Sequence, residues 1–260
     1  MTRDELRPYA DRFEKYVNDF ITPLSYDSGG DKGVLCGTGA FISKDDRVYL
    51  ITNAHIICKL EEMSKGKDSP IVVQCLFKDW EEYVPITAQF KKTDGVVDVA
   101  IADITEIWNE QKNNARKAIP LDKFKPTENR GNEYFYTVGY PSLCADMEGD
   151  VLNSPPQKFL TIEAGLPNLA DREFMPYCHF ALKYSSKDCY YTRSEMHLCH
   201  DPRGISGSLV WNTHLTDEMI RNGHDWDPES MTIAGVEFLW DENETLVCSK
   251  SEAIPFVSLM

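Results

Sequence analysis

The chain has 260 residues, 42% of them apolar, which is enough for two small domains or one large one with a proper core. Its net charge of −15, from 42 acidic and 27 basic residues, argues against bulk attraction to nucleic acid or anionic membranes and leaves an acidic, solvated surface with a bias toward basic substrates. No apolar run approaches the roughly 20 residues that span a bilayer. Met1-Thr2-Arg3-Asp4-Glu5-Leu6 lacks the basic-then-apolar layout of a secretion signal, so the expected location is the cytoplasm.

In chain order, residues 2 to 20 read as a helix. Thr2-Arg3-Asp4-Glu5 fits a capping box, and Leu6, Tyr9, Phe13, Tyr16, Val17 and Phe20 recur at helical spacing to give one apolar face. That face must dock on a barrel or on a regulatory protein partner. Residues 1–30 are therefore an N-terminal helical extension. From Gly33 the pattern changes to short branched and aromatic runs between turn-forming stretches: Gly39 to Ile42, Val48 to Asn53, Ile71 to Phe77, Tyr83 to Phe90 and Val97 to Ile104. These suit a small β-barrel over 31–125. Lys59 to Pro70 reads as a polar loop, and Asp103 to Ala118 holds room for a short helix. A second set of strands, over 126–260, runs through Tyr134 to Tyr140, Lys158 to Ala164, His179 to Tyr184, Leu209 to Trp211, Met231 to Trp240 and Thr245 to Ser249. Leu143 to Gln157 and Asn212 to Glu229 read as surface loops. The fold class is all-β.

Three short motifs carry chemistry. His55 lies in Leu50-Ile51-Thr52-Asn53-Ala54-His55-Ile56, Asp98 in Val96-Val97-Asp98-Val99-Ala100-Ile101, and Ser206 in Gly204-Ile205-Ser206-Gly207-Ser208. Alone, Ser206 is an ordinary turn serine and His55 a core histidine at a strand end. Together, in the order His, Asp, Ser, and with Gly37-Thr38-Gly39-Ala40-Phe41-Ile42, Gly139-Tyr140-Pro141 and Gly235-Val236-Glu237-Phe238-Leu239-Trp240 as further landmarks, they resemble the trypsin-like, chymotrypsin-fold serine proteases of intracellular bacterial type. The resemblance runs from about Gly33 to about Ser251.

That resemblance implies two perpendicular six-stranded antiparallel β-barrels, with His55 and Asp98 on the first, Ser206 on the second and the active site between them. A serine hydroxyl needs a base to remove its proton, and imidazole, with an ordinary pKa of about 6.5, serves as base and then as acid. Asp98, flanked by apolar residues, is expected to hold the ring's tautomer. The amides of Gly204 and Ser206 are expected to receive the oxyanion. His200, Asp201, Glu237, Phe238, Leu239 and Trp240 fall where relatives build the substrate pocket, and a carboxylate there, Glu237 above all, implies cleavage after arginine or lysine. The expected partner is a protein or peptide substrate, with no cofactor, metal, nucleic acid or membrane.

The sequence departs from the family at three positions. Ser208 replaces the second glycine of Gly-x-Ser-Gly-Gly. Ile205 stands where digestive enzymes carry the aspartate of zymogen activation, so no processing is expected. Asn53 occupies a usual alanine position, with little effect foreseen. The eight cysteines are expected to be reduced, and a zinc site from Cys189, His197, Cys199 or His200 lacks Cys-x-x-Cys spacing. An idle binding module on the same scaffold, or an esterase using the same groups, is the alternative.

Overall fold

The structure is a computed structural model that describes residues 1, 3–27, 33–67, 70–78, 83–93, 95–111, 114–126, 132–142, 145–148, 151–153, 155–170, 172–185, 189–191, 202–241 and 245–260. The first half of the chain forms β1 (Ile21–Asp27), β2 (Gly33–Lys44), β3 (Arg47–Thr52), α2 (Ala54–Ser64), β4 (Val73–Cys75), β5 (Val84–Pro85), β6 (Phe90–Lys92), β7 (Ala100–Asp103), α3 (Thr105–Glu110) and β8 (Ile119–Pro120), preceded by α1 (Arg3–Val17). These strands make one curled sheet in the order β5-β4-β1-β2-β3-β7-β6, with β8 beside β2 as its parallel pair. The second half forms β9 (Glu133–Gly139), the separate hairpin β10 (Asp146–Glu148) and β11 (Val151–Asn153), β12 (Gln157–Thr161), β13 (Glu163–Ala164), β14 (His179–Lys183), β15 (Cys189–Tyr191), β16 (Leu209–Thr216), α4 (Asp217–Arg221), β17 (Thr232–Asp241), β18 (Thr245–Lys250) and α5 (Phe256–Leu259). Its sheet runs β13-β14-β18-β17-β16-β9-β12-β15, antiparallel throughout. Two curled, mostly antiparallel sheets, each a half-barrel, and one long N-terminal helix make an all-β architecture.

Several boundaries differ from the sequence reading. Each sheet has eight described strands, not six. β1 lies inside the segment read as a helical extension, because Pro23 masks its strand character. Pro23 is tolerated because the β4 ladder covers only Leu24 to Tyr26. Beyond it the Thr22 hydroxyl extends the pairing, donating to the Leu76 carbonyl at 3.0 Å and accepting the Leu76 N–H at 2.8 Å. Lys59 to Pro70 was read as a polar loop, but its first part, as far as Ser64, belongs to the helix α2. Only Ala54, Ile56, Ile57 and Leu60 are buried there, and the polar outer face hid the periodicity. β16 continues to Thr216, and 143–157 holds a hairpin, where loops were expected.

Burial is organised in three clusters. One lies within each half-barrel, and a third joins the two sheets to α1. α1 begins with Asp4 and Glu5 at its positive end and carries Lys15 in its last turn. Its buried stripe is Leu6, Ala10, Phe13 and Val17. Phe13 stands edge-on to Trp226 at 4.5 Å and tilted against Tyr136 at 5.2 Å. Arg12 donates to the Trp226 carbonyl and lies over its indole. Of the two docking surfaces considered for this apolar face, a barrel or a regulatory partner, the structure shows it packed on the second half-barrel.

Lys158 on β12 is sealed beneath this helix, its side chain 2% exposed, and it pairs with Glu14. Removing one partner of a buried pair leaves an uncompensated charge, whereas replacing both with apolar groups does not. Glu14→Ala is therefore expected to lower unfolding free energy by about 3–5 kcal/mol. The double change Glu14→Leu with Lys158→Met should remain close to wild type, as urea midpoints of the three proteins will report.

Candidate active site

The register of the first sheet brings His55 to Asp98. β3 and β7 pair with Thr52 opposite Ala100 and Ile51 opposite Ile101. Continuing past the last pair, the residues leaving β3 meet the residues entering β7, although the two segments are far apart in sequence. Gly95, at φ 87°, turns the chain just before Asp98. Thr93 closes that loop: its amide donates to the Val99 carbonyl at 2.9 Å, and its hydroxyl accepts the Val99 N–H at 3.1 Å.

Asp98 uses both carboxylate oxygens on His55. Oδ2 lies 2.5 Å from His55 Nδ1, and Oδ1 accepts the His55 backbone N–H at 2.9 Å. His55 is the second residue of α2, so the carboxylate caps that helix terminus, where the helix dipole favours an anion. The same contact assigns the ring proton to Nδ1 and leaves Nε2 as the basic nitrogen. The two side chains are 48% and 20% exposed, so the ring stands open to the cleft while the carboxylate sits behind it.

Asn53, expected to matter little, is part of this arrangement. It occupies the cap position of α2, yet its amide instead donates to the Asp98 carbonyl at 2.7 Å. Asn53 and His55 thus grip Asp98 by its backbone and by its side chain. Sequence reading compared Asn53 with the alanine usual there and missed that an amide can cross to a strand 45 residues away.

The nucleophile loop is built on the second sheet and held by the first. Ser206 lies three residues before β16. Gly207 N–H donates to the Glu237 carbonyl at 3.0 Å, and Glu237 N–H to the Ser208 carbonyl at 2.9 Å, which ties the loop to β17. From β2, Thr38 N–H donates to the Ser206 carbonyl at 2.8 Å. The Thr38 hydroxyl accepts the Tyr140 N–H at 2.9 Å and points to the Gly204 carbonyl at 3.4 Å. The Thr38 carbonyl accepts the Thr52 hydroxyl at 2.8 Å, three residues before His55. Thr38 therefore links the serine loop to the histidine strand.

Two glycines in this loop are compulsory. Gly204 has φ 104°, and a Cβ there would lie 2.4 Å from the Ser142 nitrogen. Gly207 has φ 93°, and its Cβ would lie 2.0 Å from the Thr38 carbonyl oxygen. Among the described residues, neither the Gly204 nor the Ser206 N–H donates to another backbone carbonyl, as an oxyanion-receiving pair requires. No hydrogen bond joins Ser206 Oγ to His55 among the described residues. Catalytic contacts of this kind are often long in the free enzyme and tighten in the complex.

The departures at 205 and 208 have packing reasons. Ile205 is 1% exposed and belongs to the core of the second half-barrel, where an unpaired aspartate would be costly. Ser208 donates its hydroxyl to the Ile205 carbonyl at 2.5 Å, closing the turn. Gly139 opposite leaves it room, since a Cβ there would meet Ser208 Oγ at 2.1 Å.

The expected substrate pocket changes most. Glu237 is 1% exposed and buried beside Asp98 and Cys248, not at the cleft surface. Burial first, then the Asp98 charge, push its carboxyl up to about 8, against a smaller opposing pull from the Leu239 N–H. It is mostly neutral at pH 7 and presents no negative charge to a basic side chain. Its place at the pocket was carried over from the resemblance, whereas here both faces of β17 are buried from Ile233 to Phe238. Phe238 is buried against His179 and Phe174, Leu239 is half-buried, and Trp240 meets Tyr184 edge-on. His200 and Asp201 lie outside the described residues, as do His197, Cys199 and the Cys189 side chain of the zinc alternative. The described cysteines Cys36, Cys58, Cys75, Cys178 and Cys248 are free thiols.

No family model matches the chain, and no curated protein matches it. Among solved structures, one described as catalytically active tobacco etch virus protease complexed with product aligns over 90% of this chain and 74% of its own, at 13% identity and a TM-score of 0.42. A second, from work on the coupled folding and binding of the Sesbania mosaic virus VPg protein, aligns over 93% and 91% at 11% identity and a TM-score of 0.46. Both names are viral, and the bacterial type expected from the sequence has no counterpart in them. At these scores the account of the fold rests on the strands and their register.

The raised Glu237 carboxyl sets a direction for stability against pH. Below about pH 4.5, the ordinary carboxyl value, folded and unfolded chains both carry the proton. Between there and about 8, only the folded chain does, so stability falls as pH rises, by up to about 1.4 kcal/mol per pH unit from this group. Glu237→Gln is expected to flatten that decline in urea unfolding between pH 5 and 8. A decline as steep as that of the wild type would count against a buried, protonated carboxyl.

Proposed function

We propose that the chain is a serine endopeptidase acting through Ser206, His55 and Asp98. The observation that carries the reading is the two-point hold of Asp98 on His55, which fixes the ring with a bare Nε2. In this reading Nε2 takes the proton of Ser206 Oγ as it attacks a peptide carbonyl, and Asp98 stabilises the imidazolium. The oxyanion is received by the N–H groups of Gly204 and Ser206. His55 then gives its proton to the leaving amine, and water attacks the acyl-enzyme with His55 again as base. The substrate class is protein or peptide, and the proposed location is the cytoplasm, in keeping with the free thiols. The preference for arginine or lysine expected from Glu237 loses its charge, and no side-chain preference replaces it here. Because Ile205 offers no carboxylate to a new amino terminus, the unprocessed chain is the active form.

A serine-directed fluorophosphonate is expected to label Ser206 in protein whose intact mass shows an unprocessed N-terminus. Ser206→Ala and His55→Ala should fall to background peptide cleavage, since the losses are not additive. Asp98→Asn should keep the fold and lower turnover by about 10⁴-fold by favouring the wrong tautomer. Full labelling of Ser206→Ala would overturn the assignment, and absence of labelling in the wild type would favour an idle scaffold. Hydrolysis of small esters without cleavage of any peptide library would favour the esterase.

A further inference from the structure

Asp98 belongs to the first sheet, yet the loop that carries it is fastened to the second. The Val96 carbonyl lies 2.9 Å from Nε2 of His179 at the start of β14, and Asp98 N–H approaches the Ser249 hydroxyl of β18 at 3.4 Å. The other ring nitrogen of His179, Nδ1, accepts the Met175 N–H at 3.0 Å. These two contacts assign the tautomer. Nδ1 is bare because an N–H points at it, and Nε2 carries the hydrogen that the Val96 carbonyl accepts. His179 is 3% exposed, with Phe174 edge-on to it at 5.7 Å and Phe238 tilted against it at 5.4 Å, so two aromatic rings pack against the imidazole.

We propose that His179 is a positioning residue for Asp98: its neutral imidazole spans Val96 and Met175, registers the Asp98 loop against the half-barrel that carries Ser206, and releases it when the ring is protonated. The proposal rests on the triad reading above. A proton on Nδ1 would meet the Met175 N–H head-on, so the charged ring cannot keep both contacts. The titratable groups on the elements packed against it are Lys250 of β18, Asp98 of the loop itself and Glu237 of β17, which holds its proton at pH 7. Burial, reinforced by the Lys250 ammonium and opposed by the Val96 hydrogen bond, holds the ring below the ordinary histidine value, so it is neutral at pH 7. The bare ring therefore persists at pH 7, and its loss on acidification adds a second ionisation to the labelling profile.

The test compares His179→Gln, which keeps a donor for Val96 but does not titrate, with His179→Phe, which keeps the ring and loses both hydrogen bonds. Phosphonate labelling of Ser206 is measured from pH 4.5 to 8, alongside the downfield proton resonance of His55 Nδ1–H and thermal unfolding. At pH 8 His179→Phe is expected to label about 10- to 100-fold more slowly, the loss typical of a displacement of about 1 Å in a catalytic group, with the resonance shifted or broadened. His179→Gln should label at close to the wild-type rate at pH 8 and lose one of the two acid ionisations of the wild-type profile. Wild-type labelling and an unmoved resonance in His179→Phe would overturn the proposal. If that variant does not fold, the Gln profile decides: two ionisations retained would overturn the proposal, and one would support it. If the wild type fails to label, the triad reading falls, and the His55 resonance in the two variants still decides whether His179 positions Asp98.

Discussion

Thr38 holds the backbone of a loop that belongs to the other half of the molecule, and the candidate site depends on that hold. Its N–H reaches the Ser206 carbonyl, its hydroxyl takes the Tyr140 N–H, and its carbonyl takes the Thr52 hydroxyl. Thr38 is completely buried, so these bonds form away from competing water and the loop has no alternative donors to turn to. The serine loop would otherwise be free to move relative to the histidine strand, because the two sheets share side-chain packing but no continuous ladder.

The two half-barrels exchange such holds in both directions. The first sheet steadies the Ser206 loop through Thr38, and the second meets the Asp98 loop at His179 and Ser249. Within the first sheet, the β3–β7 register and the Asn53 amide bring Asp98 under His55. Side-chain packing between apolar surfaces leaves some freedom of sliding, while directional hydrogen bonds at the loops do not. A site assembled from two sheets needs the second kind.

The acidic groups behind the site are managed by protonation. An ionised Glu237 would place a second negative charge beside Asp98, and burial already disfavours the charge. The remaining polar departures are local: Ser208 closes its own turn, and Gly139 makes space for it.

What the sequence by itself determined was what is written in short-range chemistry. The apolar stripe of α1, the six principal strands of the second sheet and the three chemistry-bearing motifs in their order are all legible because each depends on a few neighbouring residues. What only the tertiary structure decided depends on contacts between distant segments. α2 hid its helical period because one face is polar and solvated, and β1 hid behind Pro23, whose missing N–H is harmless only where the β4 ladder has ended. Asn53 and His179 looked unremarkable in sequence because their partners, the Asp98 and Val96 carbonyls, are backbone atoms that no side-chain pattern marks. Glu237 was placed at the pocket by resemblance alone: the burial of both faces of β17 sets where its carboxyl lies, and that depends on the elements packed against the strand.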